Sequence, residues 1–137
     1  MLRTTWNAVV KAYNTEAKKY NFTMVMGFAL LSIDPKKGTP STSLGPKMGM
    51  EPTSLSRTLK NLEERDLIER HPNPDDGRGV IIKLTAEGME SRDIAKQVVL
   101  QFNKNIEQEF GMEKLKVFFE VNQGIQNMIS ERKIFKK

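Results

Sequence analysis

Cysteine is absent from the 137 residues of this chain. That excludes disulfides, thiolate zinc sites and any switch run by thiol oxidation. Histidine occurs once, at position 71. A histidine-rich metal centre is excluded with it, and neither a metal nor another cofactor is expected. His71 stands between Arg70 and Pro72, at the expected end of a strand, where a structural or phosphate-contacting role suits it. No apolar run approaches the roughly 18 residues of a membrane span. The opening MLRTTWNAVVKAY holds neither a continuous apolar stretch nor a cleavage site, so a cytoplasmic protein is expected. Enzymatic machinery is equally scarce. There is no phosphate-binding glycine loop, the histidine has no serine or cysteine partner in a recognisable motif, and the carboxylates are scattered as solvent-facing charges. The chain is expected not to be an enzyme.

Charge of one sign is not concentrated either. The net charge is +5, yet residues 1–35 hold four Lys and Arg against two Asp and Glu, residues 36–84 nine against seven, and residues 85–137 nine against eight. Affinity for nucleic acid would have to come from where single cations stand, not from bulk basicity. The length suits one domain, and the hydrophobic content of 38% suits a modest core.

What is present is concentrated between Ser43 and Gly88: a short helix, a turn, a second helix and a two-stranded wing. Pro52 marks the start of the second helix, where its missing N–H costs nothing and its fixed φ is already helical. Glu51 takes the N-cap, an unusual residue there whose charge still suits a helix N-terminus. At about 100° per residue, Leu55, Leu59 and Leu62 form one stripe. Thr53, Arg57, Lys60 and Asn61 gather on the opposite side, flanked by Ser54 and Ser56. Such a set suits the major groove: a cationic fork for guanine, an amide for adenine, and hydroxyls for phosphates or base edges. Arg57 is the first base-reading candidate. The plainer reading, an amphipathic surface helix with a polar outer face, stands beside it.

Beyond Asp66, the pattern predicts a strand from Leu67 to His71, a long charged loop holding Pro72, Pro74 and Gly77, and a strand from Val80 to Leu84. Arg78 lies between Gly77 and Gly79, with little bulk beside it, suited to a narrow, electronegative minor groove. Asp75 and Asp76 are placed to orient it, and Lys83 adds a cation on the second strand. Lys36 and Lys37 offer a loop-borne phosphate contact or a solvated turn.

These residues resemble the winged helix-turn-helix of the MarR-type transcriptional regulators. The wing pattern of that family is matched by Asp76, Arg78, Gly79, the apolar strand Val80 to Lys83, Leu84, Thr85 and Gly88, with Gly77 where a basic residue is usual. Ser56 and Arg57 ahead of Leu59 and Leu62, then Glu63, Glu64, Arg65, Leu67 and Ile68, resemble the family's run into the wing. The helix before it departs from the pattern, carrying Leu44, Gly45 and Pro46. With Thr39 as N-cap and Pro40 as first helical residue, Pro46 is expected to kink or shorten that helix.

The resemblance implies a mainly α chain with a small β-hairpin wing, residues 36–88 forming the winged lobe and residues 1–22 and 89–137 a helical dimerisation lobe. It implies a homodimeric, ligand-responsive repressor on double-stranded DNA, with Arg78 as the wing-tip arginine. The flanks agree. Trp6, Val9, Val10, Tyr13, Ala17 and Tyr20 recur at helical spacing, Met24 to Ile33 reads as a buried helix, and Thr85 caps a helix carrying Ile94, Val98, Phe102, Ile106 and Phe110. Gly111 interrupts it before a last face with Leu115, Phe118, Ile125 and Met128. A partner subunit or an intramolecular bundle would cover these stripes. A two-fold dimer would set its reading helices about 34 Å apart and predicts a pseudo-palindromic site. By the same resemblance, a small aromatic or phenolic anion would enter a crevice lined by Trp6, Tyr13, Tyr20 and Phe28, although aromatics so spaced also serve as core. The rival class is a winged-helix module that binds protein rather than specific DNA.

Overall fold

The computed structural model describes residues 1–136, with the side chains of Asp76 and Arg78 outside the described part. Among the described residues the chain forms six helices and three strands: α1 (Leu2–Lys18), α2 (Met24–Ser32), β1 (Thr39–Pro40), α3 (Ser41–Met48), α4 (Pro52–Glu64), β2 (Ile68–Asn73), β3 (Asp76–Leu84), α5 (Ala86–Phe110) and α6 (Met112–Ser130). Two units result, Met1–Val98 and Val99–Lys137, and α5 runs from the first into the second.

In the first unit, helices α2, α3 and α4 pack on one another and α3 packs on β3. Leu30, Ile33, Leu44, Leu62 and Ile82 are fully buried at their meeting point. Each such side chain contributes on the order of 2 kcal/mol by leaving water. Thr23 caps α2, its side chain accepting from the Met26 N–H at 3.2 Å. The helix buries Met26, Ala29, Leu30 and Ser32 on one side only. Phe28 is 43% exposed, so the helix expected to be buried is buried on one side and open on the other.

The start of α3 is also corrected. Thr39 and Pro40 are not its cap and first residue but an edge strand, with Thr39 opposite Ile82 and Pro40 opposite Ile81. Thr39 Oγ1 accepts from the Asp34 N–H at 2.9 Å, and Pro40, lacking a donor, fits an edge. Pro46 lies within α3, which ends two residues later. The hydrogen bond it cannot make would have gone to the carbonyl of Thr42, an exposed residue in the first turn of the helix. Gly49 then turns left-handed at φ 65°. Its N–H reaches the Pro46 carbonyl at 3.3 Å and the Met50 N–H reaches that of Gly45 at 3.0 Å, the paired bonds of a Schellman turn.

The sheet is antiparallel with order β1-β3-β2. Its hairpin differs from the expected strands at 67–71 and 80–84 joined by a long loop. Strand β2 reaches Asn73, β3 begins at Asp76, and the turn between them is Pro74 and Asp75. Pairing steps from Pro72 opposite Val80 to Asn73 opposite Asp76. Gly77, Arg78 and Gly79 are therefore surplus on β3 and bulge from the ladder.

In the second unit, Gly111 separates α5 from α6, and α6 has no buried residue. Phe118 and Phe119 are 52% and 60% exposed, with ring centroids 5.8 Å apart.

Candidate nucleic-acid interface

Helix α4 separates its two faces as its periodicity predicts. Leu55, Leu59 and Leu62 are buried, and Thr53, Ser54, Ser56, Arg57, Lys60 and Asn61 are all exposed. Among the described residues, neither the Arg57 guanidinium nor the Lys60 ammonium has an ion-pair partner. Two cations on one outward face thus leave a positive potential to be answered from outside. Thr58 completes the buried stripe. Its hydroxyl donates to the Ser54 carbonyl at 3.0 Å, which satisfies the polar atom and lets its methyl pack. Its spacing from Leu55 and Leu62 was the available signal.

The Schellman turn carries α3 into α4. Gly45 is buried there, and a Cβ on it would lie 3.4 Å from the Met50 carbonyl oxygen and 3.6 Å from Leu55 Cδ2. Gly45 thus sits where α3 meets the turn and the start of α4, at ordinary contact distance. At the other end of α4, Glu63 accepts from Arg70 Nε at 3.0 Å, tying the helix to the wing. Arg65 follows α4 directly. Its Nη1 donates to the Asn21 carbonyl at 2.6 Å and its guanidinium lies over the Phe22 ring at 4.5 Å. Sequence reasoning missed that role because Asn21 is 44 residues away in the chain.

On the wing, Lys83 is exposed and stands opposite Glu69. Glu69 itself meets His71 Nε2 at 3.0 Å, so the histidine is engaged on the outer face of β2. The Asp75 N–H donates to Asn73 Oδ1 at 3.0 Å within the turn. The expected orienting of Arg78 by Asp76 lies outside the described residues; their backbone positions are the bulge and the strand end. Lys36 and Lys37 form a solvated turn, their N–H groups donating to Asp34 Oδ1 at 2.8 and 3.0 Å. Those bonds, the one from Lys37 foremost, hold the Asp34 carboxyl below its ordinary pKa.

The four aromatic residues of the expected crevice are not core. Trp6, Tyr20 and Phe28 are 55%, 44% and 43% exposed, and Tyr13 is half-buried, its phenol pushed up by desolvation. All lie on α1, the turn after it, or α2, and α1 has no buried residue. Among the described residues no helix is long and apolar enough to cross a membrane, and no group of three His, Cys, Asp or Glu converges.

Comparison with known proteins places this geometry. The profile of the MarR family matches residues 22–80. The HTH-type transcriptional regulator SarZ of Staphylococcus saprophyticus is 26% identical over 125 residues, covering 88% of this chain and 85% of that protein. YhbI of Bacillus subtilis, an HTH-type transcriptional regulator, is 29% identical over 85 residues, which span 62% of this chain and about half, 53%, of YhbI. Among solved structures, a mutant MarR of E. coli bound to operator DNA superposes with a TM-score of 0.80 at 20% identity, covering 90% of this chain and 89% of the other. The MepR–DNA complex of S. aureus does so with a TM-score of 0.79 at 17% identity, covering 95% and 94%. The winged helix-turn-helix architecture is shared with both.

Proposed function

We propose that the chain is a MarR-type, sequence-specific regulator of transcription that binds double-stranded DNA, a reading supported by the MarR profile over residues 22–80 and by the regulators it resembles. The observation that carries this reading is the outward face of α4, where Arg57 and Lys60, without an ion-pair partner among the described residues, stand among Thr53, Ser54, Ser56 and Asn61 beside a bulged wing. In this proposal residues 36–88 are the DNA-binding lobe. Arg57 reads a base edge in the major groove, the others on its face and Lys83 hold phosphates or base edges, and Arg78, oriented by Asp76, enters the minor groove.

Residues 1–22 and 89–137 make the dimerisation lobe of a homodimer. In its support, no described side chain of α1 or α6 is fully buried within the single chain, and Trp6, Phe118 and Phe119 are more than half exposed. The site of action is a prokaryotic cytoplasm, and the mode is repression released by a small aromatic effector at Trp6, Tyr13, Tyr20 and Phe28. The relatives are regulators, not enzymes.

Selection of bound sequences from random double-stranded DNA tests the reading. An enriched pseudo-palindrome with half-sites about one helical turn apart is expected. Without enrichment, and with binding lost at modest salt, the chain would instead be a protein-interaction module. On the selected site, Arg57→Ala is expected to cost about 1–3 kcal/mol and to relax preference at one position of each half-site. Equal losses on selected and random DNA would remove Arg57 from base reading.

A further inference from the structure

We propose that Arg65 is a positioning residue that fixes the spacing between the two half-sites, by fastening the end of the reading helix to the corner between α1 and α2. The inference rests on the dimeric DNA-binding reading above and assigns that site one more determinant.

Arg65 is not one of the residues on the outward face of α4; it lies immediately after that helix. Its guanidinium is engaged in three ways at one place, the weakest of them Nη1 at 3.9 Å from Met26 Sδ. Nη1 donates to the Asn21 carbonyl at 2.6 Å, a charge-assisted bond, while the plane sits 4.5 Å from the centre of the Phe22 ring. The place itself is braced. Asn21 is left-handed at φ 58°, the Phe22 N–H is held by the Ala17 carbonyl at 3.0 Å, and Asn14 Oδ1 on α1 accepts from the Met24 N–H at 2.8 Å. Thr23 then caps α2.

A continuous set of bonds therefore leads from Asn14 on α1, through the corner, to the last turn of α4. Helix α1 leaves its apolar side only half-buried, with room for a partner, whereas α4 presents Arg57 and Lys60 for DNA. Whatever angle joins those two helices sets how far apart the two reading helices of a dimer lie. The Glu63–Arg70 pair fastens α4 to the wing instead, so it moves with the helix and leaves that angle alone. Lysine at position 65 would keep the charge and lose the flat guanidinium over Phe22.

The experiment uses the full-length dimer and the selected operator, together with operators whose half-sites are one base pair closer or farther. Each change moves a half-site by about 3.4 Å and turns it by roughly 35°. The wild type is expected to discriminate against both. Arg65→Ala is expected to reduce that discrimination by about threefold or more. Phe22→Leu, which removes the ring, should shift the ratio the same way, and Arg65→Lys should fall between.

Amide hydrogen exchange of the free proteins is measured alongside. Arg65→Ala should lose protection at Phe22 and Met24 while Ile82 in β3 keeps its own. Unchanged exchange at the corner overturns the fastening. Faster exchange with unchanged spacing discrimination overturns the spacing role, since a purely structural contact would behave that way. A wild type that selects no DNA sinks the regulator reading, and the spacing role with it, while the exchange result still decides whether Arg65 holds the corner.

Discussion

Gly88→Ala is expected to cost about 3 kcal/mol or more of folding free energy, the largest loss from adding a methyl group at any described glycine of the first unit. Gly88 is buried in the first turn of α5, and a Cβ there would run into the backbone carbonyl oxygen of Leu67. That carbonyl cannot withdraw cheaply. It accepts the Thr85 N–H at 3.1 Å. Thr85 Oγ1 donates to the neighbouring Asp66 carbonyl at 2.6 Å and accepts the Gly88 N–H at 3.0 Å. Asp66 is already left-handed at φ 57°. The turn after α4, the strand it feeds and the cap of α5 are locked by three hydrogen bonds into which no atom fits. Urea or thermal unfolding reads the effect, and a melting point lower by roughly 12 °C or more is expected for a unit of this size. A loss under about 1 kcal/mol would show that α5 can slide outward there. Gly124→Ala in α6 serves as the contrast. Nothing lies within 4 Å of the added carbon, and the change is expected to stabilise by about 0.4–1 kcal/mol.

Binding to the selected operator is expected to weaken by about a thousandfold or more between 50 and 200 mM salt. On the proposed interface Arg57, Lys60, Arg78 and Lys83 would supply four cations per protomer, and the two-fold symmetry of the proposed dimer would double whatever number engages. Roughly six to eight contacts to the polyanion would each release a counterion. The net charge of +5 is too thinly spread to produce such a slope by itself. Lys60→Ala removes one cation from each protomer. It should make the slope of log affinity against log salt shallower by about 1.8 and weaken operator and random DNA alike. A slope that stays put in the variant would take Lys60 off the contact surface.

Legibility in the sequence followed how local each cause was. The faces of α4 could be read because Leu55, Leu59 and Leu62 repeat at helical spacing, so burial on one side dictates exposure on the other. Thr58 escaped because its residue type reads as polar, although the Ser54 carbonyl one turn back satisfies its hydroxyl. Strand β1 could not be read at all. Its two residues are a strand only because Ile81 and Ile82, some forty positions later, pair with them. Arg65 is the same case for a side chain, with its partner on another helix corner. In the wing, Pro72, Gly77 and Gly79 are loop-forming residues by type, yet Pro72 pairs within the ladder and the two glycines occupy its bulge. Composition could mark the irregularity there but not on which strand the surplus residues would fall.

That bulge separates two lengths that an ordinary hairpin ties together. In a regular ladder, one added residue turns every following side chain to the opposite face, which would drive Ile82 out of the core. Here Gly77, Arg78 and Gly79 are enclosed between the Asn73–Asp76 pair and the Pro72–Val80 pair, so the strand beyond Val80 keeps its alignment however many residues stand between. The tip can therefore gain or lose residues over evolutionary time, retuning how deeply it reaches, while the folded body inherits its packing unchanged.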